Sequence, residues 1–379
     1  MPVCWWCPGR DTLCTSNGPR YSTAPSWSFW PRWSEMNSPL RTLHLGVGAI
    51  GAEVVRLVAA DPRFRIVGAI DVDPAKAGRD LAEIAGLEGP LGVTVTADLD
   101  AALRESGAQV VVHSAGSRLE REAAPLLRCL RAGAHVLSTC EELSFPWARH
   151  PDLAQELDRE ARARGLRVLG TGVNPGFVMD LLPSLLALAC QRVDAVRVRR
   201  VVDLSQRRPQ LQRKMGAGLS LAEFEAEVAS GSLGHVGLVE SALMLADALG
   251  WEMDELKEEM TPVLAPRHIR AGPLRIAPGQ VAGVRQVVTG TVGGRSLLEL
   301  ELVMVLDASE PHDAIEIQGV PPVRAYFPGG IHGDRATAAL VKHLLPTLAY
   351  APGPVGLLTM RDLPLTPRRG RDEEEGTPR

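Results

Sequence analysis

The sequence has few aromatic residues, no excess of basic residues and no long apolar run. Aromatic residues make up 4% of the chain, and the net charge is -4 at pH 7. Without surplus lysine and arginine to bind phosphates, no nucleic-acid partner is predicted. No apolar stretch reaches the roughly 18 to 20 residues of a membrane-spanning helix, so no membrane association is predicted. Cysteine is sparse beyond residue 35, which is typical of a cytoplasmic protein.

Residues 1–35 differ in composition from the rest of the chain. They hold five of the seven tryptophans and three of the six cysteines, without helical or strand periodicity. Cys4-Trp-Trp-Cys7 has the spacing of a redox or zinc motif, but no second Cys/His pair follows at finger distance. We expect residues 1–35 to be an unstructured extension. If translation naturally starts at Met36, this extension is translated from upstream of the true start. Residues 365–379 are expected to form a disordered, charged tail.

The first domain, predicted over residues 36–180, begins with a strand, a glycine-rich turn and a helix. The turn is Gly46-Val-Gly48-Ala49-Ile50-Gly51, and Asp71 stands at the end of the next strand. In a dinucleotide-binding turn the first glycine permits the bend, the second lets backbone approach the pyrophosphate, and the third allows helix and strand to pack. The acid accepts hydrogen bonds from the adenosine ribose. These residues predict dinucleotide binding; a glycine turn without a nucleotide is the alternative.

The same residues bear on the choice between NAD and NADP. Asp71 favours NAD, because a carboxylate repels a 2′-phosphate. Lys76 and Arg79 are close enough in sequence to offset that repulsion, so NADP stays open as a cofactor.

Strands and helices continue to alternate along this domain, which predicts an α/β fold with a Rossmann-type, doubly wound parallel sheet. Ligands bind such sheets beyond the carboxyl ends of the strands. The strand ends add these residues to the predicted cofactor site: Ser114, Ala115, Gly116, Thr139 and Asn174.

Two adjacent carboxylates, Glu141 and Glu142, follow the fifth strand. Alcohol oxidation usually relies on Tyr, Lys or His, and neither Tyr nor Lys stands at a strand end of this domain. A carboxylate suits a cationic amine or ammonia, because it pairs with the charge and can take the proton. We predict that one glutamate is catalytic and favour Glu142, with Glu141 as the alternative. A solvated acidic pair is the non-functional interpretation.

Three further residues are predicted to line the substrate pocket. Phe177 and Met179 follow a segment, Thr171-Gly-Val-Asn174-Pro-Gly, that is expected to begin a helix. They are candidates for an apolar wall, although core packing is the usual role of such residues. His235 follows a glycine at a predicted helix start; a ligand contact and a capping or packing role are the two alternatives. Nine histidines without paired spacing predict no metal site.

The second domain, predicted over residues 181–330, changes to strand-rich periodicity. Val281–Thr291 and Ser296–Leu306 flank Gly293-Gly294, a hairpin signature. An α+β domain with an open, mainly antiparallel sheet is expected, serving substrate binding and dimerisation. The C-terminal segment 331–364 is expected to be helical and to pack back on the first domain.

Several separated motifs together resemble a known family. They are Leu45-Gly-Val-Gly-Ala-Ile-Gly51, Ser138-Thr-Cys-Glu-Glu-Leu-Ser144, Gly172-Val-Asn-Pro-Gly-Phe177, Gly234-His-Val-Gly-Leu-Val-Glu-Ser241 and Gly329-Gly-Ile-His-Gly-Asp-Arg-Ala336. The chain resembles the dihydrodipicolinate reductase-like dehydrogenases that include 2,4-diaminopentanoate dehydrogenase, over roughly residues 40–364. Within them it is similar to the native amine dehydrogenases, which aminate ketones and aldehydes reductively with ammonia.

The resemblance implies NAD or NADP as cofactor, a homodimer, and Glu142 or Glu141 as the residue that handles the ammonia-derived nitrogen. It therefore predicts reductive amination of a ketone or aldehyde, and the reverse oxidative deamination of an amine. A diamino acid is the alternative substrate, and a dinucleotide-binding regulator without turnover is a third hypothesis. A substrate carboxylate would need cations such as Arg207, Arg208, Arg213 and Lys214, which otherwise form a solvated helix face.

Overall fold

The computed structural model describes residues 38–364; the predictions for residues 1–35 and 365–379 lie outside this range. Strands and helices alternate over its first half. Their bounds are β1 Leu40–Leu45, α1 Ala49–Ala59, β2 Phe64–Ile70, α2 Leu81–Ala85, β3 Val95–Thr96, α3 Leu99–Ser106, β4 Val110–His113, α4 Leu119–Arg131, β5 His135–Ser138, α5 Pro151–Ala163 and β6 Arg167–Gly170. A single 3₁₀ turn, Glu141–Ser144, follows β5.

The second half is richer in strands. Its elements are α6 Leu181–Ala187, β7 Arg192–Asp203, α7 Pro209–Lys214, α8 Leu221–Ala229, α9 Leu238–Leu249, β8 Glu255–Leu264, β9 Ile269–Ala271, β10 Leu274–Ile276, β11 Val281–Val292, β12 Arg295–Val305, β13 His312–Val320, β14 Val323–Pro328, α10 Gly333–Tyr350 and β15 Gly356–Leu358.

The first sheet is parallel, with seven strands in the order β15-β6-β5-β4-β1-β2-β3. Its central strands are short and apolar, and every residue of β4 is buried, as expected where helices cover both faces. The strand order reverses beside β1, so the carboxyl ends of β1 and β4 form the crevice in which doubly wound sheets bind ligands. The predicted α/β fold is confirmed. The edge strand β15 was not predicted; it is contributed by the C-terminal segment.

The second sheet has six strands in the order β14-β13-β7-β12-β11-β8. All neighbours pair antiparallel except β7 and β12, which run parallel. The predicted hairpin joins β11 to β12 through Gly293 and Gly294, whose φ angles of 58° and 73° need glycine. The predicted open, mainly antiparallel sheet is therefore confirmed. Strand β8 was not predicted from the sequence, because its first residues, Glu-Leu-Lys-Glu-Glu, are mostly charged and lack the apolar alternation of a strand. Charged residues are common on edge strands such as this one.

The helix α10 returns to the first sheet. Its residues Val341 and Leu345 pack in one apolar cluster with Val54 and Val58 of α1. This contact directs the first turn of α10, with Gly333 and Thr337, towards the cavity described below. Among the helices of residues 38–364, none is long and apolar enough to cross a membrane.

Candidate active site

A cavity of about 400 Å³ lies where the two sheets and α10 meet. The first sheet supplies the carboxyl ends of four strands, the second sheet supplies residues of β7 and β12, and α10 supplies its first turn. The predicted residues that line it are Gly48, Ala49, Ile50, Ser114, Ala115, Gly116, Thr139, Glu141, Asn174 and His235. Most of the predicted site is thus brought together in one place.

The glycines of the β1–α1 turn have the geometry that their predicted roles require. Gly46 has φ +88°, and a Cβ there would lie 2.7 Å from the backbone of Ala115. A Cβ on Gly51 would lie 2.1 Å from the carbonyl oxygen of Gly46. By contrast, a Cβ on Gly48 would meet no atom within 4 Å, because it would project into open space. The Gly48 backbone is therefore open to a ligand at the N-terminus of α1, which can bind phosphate.

Asp71 lies at the end of β2 but does not line the cavity itself. Its carboxylate accepts hydrogen bonds from the backbone N–H groups of Val47 and Asp73, both at 2.9 Å, and from Lys76 Nζ at 2.7 Å. Burial raises the pKa of Asp71, but these hydrogen bonds outweigh burial and lower it overall. The predicted Arg79 is exposed and pairs with Glu83 at 3.1 Å, outside the cavity.

Glu142, the favoured catalytic candidate, points away from the cavity. It is buried, and its carboxylate accepts hydrogen bonds from Arg118 Nη1 at 2.9 Å and from the backbone N–H of Leu119 at 2.7 Å. His150 Nε2 lies 3.1 Å away. Burial raises the pKa of Glu142, yet the hydrogen bonds from Arg118 and Leu119 outweigh it and lower the pKa. Glu142 thus stabilises the start of α4, where a negative charge is favourable.

Glu141 is the glutamate that lines the cavity. Within residues 38–364 its buried Oε2 has no hydrogen-bond partner. Burial raises the pKa of Glu141, and the positive charge of Lys214 lowers it less than burial raises it. A buried carboxyl with a raised pKa and a free oxygen is suited to exchanging protons with a ligand.

Asn174 and His235 form one corner of the cavity. His235 Nε2 lies 3.1 Å from the carbonyl oxygen of Asn174, and Ser241 Oγ donates to Asn174 Oδ1 at 3.1 Å. The helix expected to begin near Asn174 begins instead at Leu181, capped by Asp180. Asp180 is fully buried and also accepts the N–H of Gly176 at 2.7 Å. The carboxylate of Asp180 therefore caps this helix by accepting the backbone N–H of Leu181.

Phe177 and Met179 do not line the cavity, so their assignment to the substrate pocket was wrong. Met179 is fully buried in the core of the second half, and Phe177 packs against the same core. The residues of the actual apolar wall are Val202, Leu211, Met215, Leu302 and Met304. The alternation of β7 could have singled out Val202, but nothing local shows that α7 turns Leu211 inward.

Four cations also line the cavity, contrary to the expected solvated helix face: Arg200, Arg207, Arg208 and Lys214. Arg213 does not line it. Two of the four are occupied, because Arg200 pairs with Asp313 at 2.7 Å and Arg207 with Asp334 at 3.1 Å. In the part of the chain that the structure describes, Arg208 and Lys214 have no ion-pair partner, and Arg208 Nε is buried without a hydrogen bond.

The fold and the site together define an NAD(P)-dependent oxidoreductase: a Rossmann-type sheet with a glycine turn for a dinucleotide, joined to a cavity that holds an ionisable carboxyl. Comparison with known families identifies the chain further. Residues 177–373 match the profile of the 2,4-diaminopentanoate dehydrogenase C-terminal domain, and residues 43–119 match the N-terminus of dihydrodipicolinate reductase. The chain belongs to the 2,4-diaminopentanoate dehydrogenase family, which confirms the resemblance seen in its motifs.

Individual relatives agree with this assignment. The 2,4-diaminopentanoate dehydrogenase of Acetoanaerobium sticklandii is 29% identical over 333 residues, covering 86% of this chain and 94% of the relative. The amine dehydrogenase of Streptomyces virginiae is 25% identical and covers 88% of this chain and 98% of its own length. The structure of the amine dehydrogenase from Mycobacterium smegmatis superposes with a TM-score of 0.78 at 24% identity, covering 88% and 98% of the two chains, which shows that the fold is shared.

Proposed function

We propose that this chain oxidises the carbon–nitrogen bond of a primary amine with NAD or NADP and, in reverse, aminates a ketone or aldehyde with ammonia. The position of Glu141 carries the proposal: a carboxyl with one buried oxygen that has no partner within residues 38–364 lies in the cavity that the dinucleotide turn also lines. The names of the two sequence relatives, 2,4-diaminopentanoate dehydrogenase and amine dehydrogenase, support this reaction class.

The residues at the strand ends fit a dinucleotide. Gly48 leaves its backbone open, Ser114 to Ser117 line the adjoining wall, and Ser114 Oγ is buried without a partner within residues 38–364. Asp71 and Lys76 stand where the adenosine ribose is bound in this fold. A bound nicotinamide supplies the hydride acceptor for amine oxidation and the hydride donor for the reverse reaction.

Glu141 performs the proton transfers in this mechanism. A substrate ammonium gives one proton to the Glu141 carboxylate, leaving a neutral amine whose carbon can lose hydride. Loss of hydride removes two electrons and gives an iminium ion; water adds to it, and the adduct breaks down to the ketone and an ammonium ion. In the reverse direction hydride adds to the iminium carbon, and protonated Glu141 returns its proton to the neutral amine that forms. The raised pKa brings Glu141 closer to the pH at which it can both take and return a proton.

The experiment is a spectrophotometric panel of amines, and of ketones with ammonia, with both cofactors. We expect NAD(P)H formation with amines and its consumption with ketone plus ammonia. Glu141→Gln should lower kcat by about 10²-fold or more while cofactor binding is kept, as removal of a general base does. The matched control, Glu225→Gln, changes an exposed glutamate on α8. Normal activity in Glu141→Gln would contradict the assigned role.

The unpaired cations favour a second candidate, a substrate that also carries a carboxylate. Arg208 and Lys214 line the cavity without an ion-pair partner in the described part of the chain. A diamino acid would place a carboxylate beside them and an amine at Glu141. Comparing an amine with its carboxylated analogue decides between the two substrates. For a carboxylated substrate, Lys214→Met should raise KM about 10-fold or more, whereas a simple amine should be little affected.

We also propose that the chain forms a homodimer through the open face of the second sheet. On β7 the side chains of Arg197 and Arg199 are exposed while the alternate residues are buried. Arg199 and Arg285 both pair with Glu301, so this face carries both signs of charge and could match a second copy. Light scattering should give twice 40.7 kDa, and Arg199→Glu should yield monomer. The cytoplasmic location stays a prediction.

A further inference from the structure

His235 is held rigidly at the cavity wall. Its backbone N–H donates to Gln286 Oε1 at 3.0 Å, and Gln286 Nε2 donates back to the His235 carbonyl at 2.9 Å. Gln286 is fully buried and also donates to Glu258 at 2.7 Å. The imidazole is fixed in turn by the contact of Nε2 with the carbonyl oxygen of Asn174. Backbone and ring are therefore both restrained, which restricts the ring to one orientation.

The contact with Asn174 determines which ring nitrogen carries the proton. A carbonyl oxygen only accepts, so Nε2 must be the N–H donor. Burial lowers the pKa of His235 to about 3, with further lowering by the charges of Lys214 and Arg200. The ring is therefore neutral at ordinary pH, and Nδ1 keeps a lone pair. Within residues 38–364 the hydrogen bonds of His235 involve its backbone and Nε2, and none involves Nδ1.

His235 and Glu141 belong to the same corner of the cavity. Gly237, two residues after His235, is so close to Glu141 that a Cβ on it would lie 2.9 Å from the Glu141 Cβ. The same Cβ would lie 2.5 Å from Cδ of Pro175, the residue after Asn174. Both side chains line the cavity. In the described chain Glu141 Oε2 is buried without a partner, and the ring of His235 bonds through Nε2 and leaves Nδ1 available. The corner therefore presents two hydrogen-bond acceptors to a ligand.

We propose that Nδ1 of His235 accepts a hydrogen bond from the reacting nitrogen of the substrate and so selects an amine over the corresponding alcohol. The inference rests on the proposed function. After giving one proton to Glu141, an amine nitrogen still carries two hydrogens, and the iminium ion formed by loss of hydride also carries two. An alcohol oxygen carries no hydrogen after giving its proton to Glu141. Its lone pairs would then face the lone pair of Nδ1, and the two would repel each other. Sites built to bind a donor reject analogues that lack it.

A neutral imidazole is necessary for this role. A protonated His235 would repel the substrate ammonium and would offer a donor where an acceptor is required. Lys214 and Arg200 keep the ring neutral, since their positive charges disfavour a further cation. His235 makes no proton transfer in this proposal: it orients the nitrogen, and Glu141 exchanges the proton.

Two substitutions separate this role from simple packing. His235→Phe keeps a ring but removes donor and acceptor, whereas His235→Gln keeps an N–H for Asn174 and a carbonyl oxygen for the substrate. We expect His235→Phe to raise KM for ammonia about 10-fold or more, with a smaller change in kcat, and to lower the amine-to-alcohol ratio of kcat/KM by a similar factor. His235→Gln should recover much of both losses. His268→Gln, an exposed histidine, is the matched control.

A binding measurement accompanies the kinetics. Calorimetric titration of an amine into the enzyme–NADH complex should show weaker binding to His235→Phe than to the wild type, while NADH itself binds both equally. If KM for ammonia and amine affinity are unchanged in His235→Phe, the proposed contact is wrong. Equal losses of NADH binding and melting temperature in both variants would mean that His235 only supports the Asn174 loop. A wild type that turns over no amine would overturn the proposed function, and this inference with it.

Discussion

Glu141 and Glu142 are adjacent in the chain, yet their carboxyl groups lie in different environments and point in different directions. Glu141 lines the cavity with an unpartnered buried oxygen, while Glu142 binds Arg118 and the backbone N–H of Leu119. Burial raises the pKa of both, but only Glu142 has hydrogen bonds strong enough to reverse the shift. One turn of 3₁₀ helix thus directs one carboxyl towards the cavity and the next towards the start of α4.

The first prediction concerns the stability contributed by Glu142. Glu142→Gln should lower the free energy of unfolding by about 1–3 kcal/mol at pH 7.5, because an amide cannot accept every hydrogen bond made here. The ion pair with Arg118 contributes only a small part of this free energy, because the Arg118 side chain is partly exposed to solvent. Since the folded-state pKa is lowered, the contribution is present above about pH 5 and is lost as the pH falls through the folded-state value. Urea unfolding at pH 7.5 and pH 4 tests this; a loss independent of pH would contradict it.

The second prediction is that the ionised carboxylate of Glu141 lowers the stability of the fold, whereas that of Glu142 raises it. Because its pKa is raised in the folded state, the ionised carboxylate destabilises the fold above that pKa and has no such effect below the unfolded-state value. Glu141→Gln should therefore be more stable than the wild type by about 1 kcal/mol at pH 8 and equally stable near pH 4. Paired urea titrations at the two pH values measure the difference. A variant less stable than the wild type at pH 8 would disprove the raised pKa.

A third prediction compares two glycines of the dinucleotide turn. Gly48→Ala should fold with an unchanged melting temperature, because its Cβ meets no atom within 4 Å, and should weaken NAD(P)H binding about 10-fold or more. Gly51→Ala should cost about 1–3 kcal/mol of stability, since its Cβ would lie 2.1 Å from the Gly46 carbonyl oxygen. Fluorescence titration and thermal unfolding distinguish the two effects. Equal destabilisation by both substitutions would contradict the assigned roles.

The fourth prediction concerns cofactor preference. Lys76 lies 2.7 Å from the Asp71 carboxylate and neutralises it. Without this cation Asp71 would repel a 2′-phosphate, so Lys76→Ala should weaken NADPH binding about 10-fold and leave NADH binding nearly unchanged. Calorimetric dissociation constants for both cofactors provide the test, with Lys257→Ala, an exposed lysine, as the control. Parallel losses for both cofactors would show that Lys76 acts only through the fold.

Much of the architecture was predictable because its causes are local. Helices α3, Leu99–Ser106, and α8, Leu221–Ala229, are examples: their apolar spacing and their N-cap residues, Asp98 and Ser220, can be read from adjacent positions in the sequence. The glycine turn was predictable for the same reason: steric freedom at Gly46 and Gly51 depends on a few adjacent atoms. Strand β15 was missed because three residues carry too little pattern.

The sequence by itself determined the class of fold, the dinucleotide turn and the presence of a carboxylate pair at a strand end. Tertiary structure alone decided that Glu141 lines the cavity, that Met179 is in the core, and that Lys214 faces inward. The reason is physical: a side chain's direction at the end of a strand depends on what packs around it. Two neighbours of Glu141 are Lys214 and Gly237, and both come from segments more than 70 residues away in the chain.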